Sequence, residues 1–244
     1  LAKCYAEAET GVWFDDEDTA VRRGFDARVE RLETLAPQSS LLEVGCYTGG
    51  FLRRVPKSWE RVGLEPSVAA AEEARRHGIE VFAEDLFEAS LPEAHFGAAA
   101  AFDVIEHLTE PDEFVDRLRR WLVPGGIFLL ETGDCDSPFA RLMGRYWSYY
   151  HLPEHVLFYS PQSVRRLLER HDFEIVEVER GHHSKRPLWG MHARRAVVAA
   201  GYAMGSELVR RSLGASLASF RVPWLLHRDH MLVWARKRRN RGRI

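Results

Sequence analysis

The run Leu41-Leu-Glu-Val-Gly-Cys-Tyr-Thr-Gly-Gly50 sets glycines directly behind a short apolar stretch, and Glu65 follows Gly45 by twenty residues. Glycines in such a turn let backbone pass close to a ligand in conformations that a Cβ penalises. A carboxylate at that distance, ending a second strand, can accept both hydroxyls of a ribose. Together they describe a seat for an adenosine-type cofactor without saying which one. Glu84-Asp85-Leu86 adds a carboxylate able to accept from an adenine amino group. Asp103-Val-Ile-Glu-His-Leu108 and Leu122-Val-Pro-Gly-Gly126 follow in turn. Proton acceptors are also present: His107, and the pair His151 and His155 in Tyr149-Tyr-His-Leu-Pro-Glu-His155. Histidine titrates in the range general-base chemistry needs, although each of the three can equally serve as a satisfied structural histidine.

These groups need strands to bring their ends together. Leu41–Gly45 reads as a buried strand and Thr48–Val55 as the helix after it. Arg61–Glu65, Ile79–Ala83, Ala98–Val104 and Ile127–Glu131 read as further strands. Helices are expected over 68–77, capped by Ser67 and closed by Gly78, over 111–122 with proline in the first turn, and from Ser160 to His171. The alternating segment Phe173–Val178 and the apolar Met231–Ala235 complete the set. Strands interleaved with short helices predict an α/β fold, doubly wound around a mostly parallel sheet. A helical arm or lid is expected over 1–37, ahead of a main domain over 38–244 with a helical insertion at about 188–222.

The 244 residues carry a formal net charge of −2 that is unevenly distributed. From Gly181 onward fourteen Lys and Arg face two acids, Glu207 and Asp229, so residues 1–180 hold the acidic excess. A basic C-terminal region can meet nucleic acid or a membrane surface, but a solvated tail is the simpler reading. The apolar stretch Ala196–Met204 suits a helix packed over a cleft, or a homodimer contact, better than a membrane surface. No apolar run approaches the ~18 residues of a membrane span. Cys4, Cys46 and Cys135 are scattered, which speaks against a disulfide framework or zinc cluster and fits a reducing cytoplasm. The chain opens on Leu1 with no signal-peptide pattern, which leaves room for an upstream piece.

The five spaced motifs, in this order, resemble class I S-adenosylmethionine-dependent methyltransferases, in the broad group that includes the ubiquinone-pathway O-methyltransferases. The resemblance runs from about residue 38 to 180 and resumes at 229–237. It implies a Rossmann-like, seven-stranded sheet with an antiparallel last strand, and S-adenosylmethionine as cofactor with S-adenosylhomocysteine as product. It implies that Glu43 fixes the loop and the cofactor's amino acid end, and that the backbone around Gly45, Cys46 and Gly49 faces the methionine part. Glu65 would hold the ribose, Asp85 and Leu86 would address the adenine, and Asp103 would lie near the methionine ammonium. Tyr47 departs from the pattern, since many relatives have glycine there; its ring either packs or leans over the sulfonium.

The expected reaction is methyl transfer to a small-molecule acceptor, most simply a hydroxyl on an aromatic, sugar or natural product, beneath a roof rich in Trp, Tyr and Phe. Asp103, Glu106, His107 and His155 also resemble the set with which small-RNA 2′-O-methyltransferases hold a divalent ion, although no metal is assigned on that ground. An RNA 2′-O-methyltransferase, a non-catalytic S-adenosylmethionine binder and a nicotinamide oxidoreductase are the competing readings. The last leaves Asp103–Leu108 and Pro124–Gly126 without a role.

Overall fold

The computed structural model describes residues 19–147, 149–150, 152–181 and 228–239. Seven strands form one sheet: β1 (Ser40–Val44), β2 (Glu60–Leu64), β3 (Glu80–Phe82), β4 (Phe96–Phe102), β5 (Leu122–Gly133), β6 (Phe173–Gly181) and β7 (His230–Lys237). Their order is β3-β2-β1-β4-β5-β7-β6. Strands β3 to β5 pair in parallel, and β7 runs antiparallel to both β5 and β6. This is the doubly wound α/β fold with a reversed last strand that the sequence predicts.

The central strands are apolar on both faces, as strands covered on two sides must be. β4 is Phe-Gly-Ala-Ala-Ala-Ala-Phe, and every residue in it is buried. Its alternation assigns the faces. Ala99 and Ala101 join Leu42, Phe114 and Phe128 on one side; Ala98 and Ala100 join Leu41, Phe51 and Leu129 on the other. α1 (Thr19–Leu35) packs Phe25, Val29 and Leu32 into that second cluster. The other helices are α2 (Val68–Arg76), α3 (Pro111–Trp121), α4 (Pro138–Met143) and α5 (Pro161–Arg170). Ser67 accepts from Ala70 N to cap α2, and Ser160 and Ser163 form a reciprocal capping box on α5.

Two local expectations are corrected. Residues 48–55 form successive turns rather than a helix, with i→i+3 bonds from Arg54 N to Phe51 O and Val55 N to Leu52 O. Gly49, at φ 79°, and Pro56 bound this segment on either side. The Pro124–Gly126 turn is absorbed into β5, where the pairing with β4 shifts register between Phe96 and Ala98. The insertion expected at 188–222 lies outside the described residues. No helix among the described residues is long and apolar enough to cross a membrane.

Candidate active site

In an open parallel sheet, ligands bind beyond the carboxyl ends of the strands. Four adjacent strands here end, in spatial order, in Asp85 after β3, Glu65 after β2, the Gly45–Gly50 loop after β1, and Asp103 after β4. The sequence-predicted cofactor residues are thus brought to one edge.

The loop is tied to β2. Gly45 N and Cys46 N both donate to Leu64 O, at 2.8 and 3.2 Å. Glu65 takes Tyr47 N on one carboxylate oxygen and Ser67 N on the other, each at 2.9 Å. Burial pushes the Glu65 carboxyl above its ordinary range, while these two donors pull it back. A carboxylate has roughly four lone-pair sites, so two remain for a diol. Asp85 accepts from Phe87 N at 2.8 Å and caps a turn in which Leu86 is buried. Gly45 and Tyr47 both hold positive φ, at 72° and 47°. Tyr47 therefore keeps the backbone path that glycine follows easily, as a strained aromatic. Cys46 is packed inward and burial pushes its thiol far up, so it contributes backbone and bulk rather than a nucleophile. Glu43 is buried beneath the loop, and lines a narrow recess together with Phe25, Phe51 and Phe102.

Beyond β4 the chain gathers a polar cluster. Asp103 itself has φ of 52°. The Tyr149 hydroxyl lies 3.2 Å from Asp103 Oδ1 and in short contact with Glu106 Oε1. Thr132 Oγ1 donates to Glu106 Oε2 at 2.9 Å. Burial, and then the neighbouring Asp103 charge, push Glu106 up to about 8. His230 Nδ1 meets Asp229 Oδ1 at 3.0 Å, and its Nε2 lies 3.7 Å from Asp103 Oδ1. The Trp147 indole donates to Asp229 at 2.8 Å.

The histidine pair sits against this cluster. Val156 N and Leu157 N donate to Glu106 O, which pins the 149–158 segment onto the turn after β4. That brings His155 beside His107, with ring centroids 4.6 Å apart. His107 Nδ1 lies 2.8 Å from Glu154 O, and His155 Nδ1 lies 2.7 Å from Tyr149 O. A carbonyl oxygen only accepts, so each Nδ1 carries a proton and donates it there. Ligand atoms of Glu106, His107 and His155 all lie within 4.8 Å of one another, a spacing that can hold a cation. His151, the third histidine singled out, lies outside the described residues.

Sequence reasoning did not find Thr132, Asp229 or His230, nor the bridging role of Tyr149. They come from β5, β7 and a long loop, and no local spacing links them.

A family description, methyltransferase domain, matches residues 18–178. The chain is 29% identical over 128 residues to a probable S-adenosylmethionine-dependent methyltransferase of Mycolicibacterium smegmatis, covering 51% of this chain and 47% of that protein. It therefore spans about half the length of that relative. A solved S-adenosylmethionine-dependent methyltransferase of Thermotoga maritima, titled a possible histamine N-methyltransferase, superposes with a TM-score of 0.58. The two share 17% identity, with 90% of this chain and 91% of that one covered. The plantazolicin methyltransferase BpumL, solved with a monoazolic desmethylPZN analogue and SAH, gives a TM-score of 0.58 at 16% identity over 92% and 87%.

Proposed function

The chain belongs to the methyltransferase-domain family, and from that premise we propose that it transfers a methyl group from S-adenosylmethionine to a hydroxyl on a small molecule. The observation that carries this reading is the alignment of Asp85, Glu65, the glycine loop and Asp103 along four neighbouring strand ends, with the His107 and His155 rings beside the last. S-adenosylmethionine supplies a methyl group already activated by its positive sulfur. The chain's own residues supply alignment, which can correspond to an effective molarity of ~10⁵ M or more. Glu65 holds the ribose with its remaining lone pairs, Asp85 and Leu86 meet the adenine, and Asp103 faces the ammonium. His155 or His107 takes the acceptor's proton, a contribution of roughly 10²–10⁴-fold. The Trp147, Tyr149 and Tyr150 rings, stacked or edge-on at 5.1 and 5.2 Å, suit an aromatic or natural-product acceptor. That the similar structures include the plantazolicin methyltransferase and a possible histamine N-methyltransferase supports a small acceptor. The domain division at residue 37 and a cytoplasmic setting belong to the same reading.

The test is methyl transfer from labelled S-adenosylmethionine to a panel of hydroxylated aromatics and sugars. His155→Ala or His107→Ala should lower turnover at least tenfold with cofactor affinity unchanged; unaltered turnover in both variants would sink the base assignment.

A second reading is favoured by the grouping of Glu106, His107 and His155. Imidazoles whose Nδ1–H groups are anchored on carbonyls are oriented as metal ligands usually are. A divalent ion held there would lower the pKa of an acceptor hydroxyl. Against it, both Glu106 oxygens already have hydroxyl partners. Full activity after exhaustive chelation would remove this reading. The RNA and membrane alternatives rest on basic residues that lie mostly outside the described ones.

A further inference from the structure

Asp229 and His230, at the start of β7, lie outside every motif read from the sequence, yet the sheet brings both to the cluster beyond β4. His230 stands opposite Gly133 of β5, and Asp134 N donates to Asp229 O at 2.7 Å, which fixes the main chain of the pair. The Asp229 carboxyl then serves two side chains. Its Oδ2 takes the Trp147 indole N–H at 2.8 Å, and its Oδ1 takes the His230 Nδ1–H at 3.0 Å. Burial alone would favour the neutral acid, but the bond and charge of His230 and the Trp147 bond hold this carboxyl below its ordinary range. It is therefore a carboxylate, which only accepts, and both contacts are donated to it.

Those two donors grip one aromatic group. Trp147, 2% exposed, stacks on Tyr149 at 5.1 Å and meets Tyr150 edge-on at 5.2 Å. His230, 4% exposed, meets Tyr149 edge-on at 4.9 Å and brings its Nε2 to 3.7 Å from Asp103 Oδ1. The Tyr149 ring is thus held by two side chains that share one carboxylate from a distant part of the chain. The N–H bonds of the tyrosine segment are local: Trp147 N donates to Gly144 O and Tyr150 N to Trp147 O, each at 3.0 Å. Local bonds shape a turn without fastening it to the sheet, and here the contacts to β7 do the fastening. Trp147 is buried, so Tyr149 and the 40% exposed Tyr150 are the rings of this group left to meet a ligand.

We propose that Asp229 is a positioning residue for the acceptor. It holds Trp147 directly and Tyr149 through His230, so the tyrosine rings are set against Asp103 from β7 rather than by their own loop. Asp229 itself touches neither acceptor nor cofactor. This rests on the reading that a small aromatic hydroxyl compound is methylated beside these rings.

Asp229→Asn in the full chain tests it, because the amide keeps the shape but presents NH₂ to one of the two donors. Three readouts are compared with the wild type. The first is the near-ultraviolet circular dichroism of Trp147, identified among seven tryptophans as the band lost in Trp147→Phe. The second is S-adenosylhomocysteine affinity by calorimetry. The third is methyl transfer from labelled S-adenosylmethionine to the best acceptor in the panel of hydroxylated aromatics. Asp229→Asn should lose the Trp147 band and keep S-adenosylhomocysteine affinity within threefold. Its acceptor kcat/KM should fall at least tenfold, chiefly through KM, as expected when an acceptor is held slightly out of line. Asp229→Glu, which restores two accepting oxygens, should recover part of that loss. Trp147→Phe keeps a ring but removes the donor, should raise acceptor KM in the same way, and serves if the asparagine variant does not fold. An unchanged band, an acceptor KM within twofold of the wild type, or equal losses for acceptor and S-adenosylhomocysteine overturns the proposal while the methyl-transfer reading stands. A wild type that binds S-adenosylhomocysteine but methylates nothing in the panel sinks the acceptor reading and the positioning role with it.

Discussion

Tyr149 lies directly on Gly133: a Cβ added at residue 133 would come 2.3 Å from Tyr149 Cε1. The absence of a side chain at the end of β5 is therefore what lets the ring drop far enough for its hydroxyl to reach Asp103 and Glu106. Trp147 stacks on the same ring at 5.1 Å, and His230 meets it edge-on at 4.9 Å. Gly133→Ala should displace the ring, cost about 1–3 kcal/mol in chemical unfolding, and lower turnover at least tenfold. Tyr149→Phe keeps the ring and removes only the hydroxyl, so it should lower turnover by a similar factor. Because both act through one contact, the double variant should be no worse than the poorer single one. Losses that multiply instead would show that the glycine and the hydroxyl act independently.

Tyr47 allows a cleaner test of strain. A non-glycine residue at φ 47° pays roughly 1–2 kcal/mol for the left-handed conformation. Tyr47→Ala and Tyr47→Gly remove the same ring, but only the glycine relieves the backbone. Tyr47→Gly should be more stable than Tyr47→Ala by about 1 kcal/mol in urea unfolding. Equal stability would mean that the loop does not hold this conformation in solution.

The part of the site that sits on strand ends was legible in the sequence. Glu65, Asp85 and Asp103 each close an apolar run, and the order of the strands follows from right-handed crossovers that pack helices on both faces. Tyr47 was legible as a departure, though not as a residue at positive φ, since φ depends on how Glu65 captures its N–H from eighteen residues away. Beyond β4, His107 and His155 were legible as candidates, but the contacts that bring them and their neighbours together were not. His230 reaches Asp103 only because β7 pairs antiparallel with β5 in a register that sets His230 opposite Gly133. His155 reaches His107 only because Glu106 O binds the backbone of the following segment.

His230 gives stability a pH dependence. Burial alone would lower its pKa, but the bond to Asp229, together with the charges of Asp103, Asp229 and Glu131, raises it to about 9 from the ordinary 6.5. The sign follows from linkage: a group whose pKa is raised on folding stabilises fully below its unfolded value and loses that contribution as pH rises through the folded one. The window is therefore pH 6.5 to 9. Tyr149 does not titrate within it, since burial and the two neighbouring carboxylates hold its hydroxyl well above 10. Glu106, pushed up to about 8, does lose its proton there, so the histidine's own share is read from the difference against His230→Gln. Unfolding free energy of the wild type should fall by some kcal/mol across that window. The difference from His230→Gln should shrink in step with it. A difference that stays constant from pH 6 to 10 would show that His230 is not charged in the folded protein.

Glu65, which we propose receives the ribose, also braces the loop. Its two oxygens accept Tyr47 N and Ser67 N at 2.9 Å, so they join the cofactor loop to the N-terminus of α2. In Glu65→Gln one of these N–H groups faces an amide NH₂ instead of an acceptor. A buried donor left without a partner costs about 1–3 kcal/mol, although the ionised carboxylate it replaces was itself disfavoured by burial. The net loss of stability should therefore lie at the lower end, near 1 kcal/mol. Binding should suffer more, because the amide also loses lone pairs that a ribose diol needs. S-adenosylhomocysteine affinity should fall tenfold or more while the melting temperature drops by only a few degrees. Glu65→Asp keeps the charge but withdraws it by one methylene, so it should lose affinity without the amide mismatch. If Glu65→Gln and Glu65→Asp lost stability in proportion to affinity, the carboxylate would be a brace for the loop and not a receiver for the cofactor.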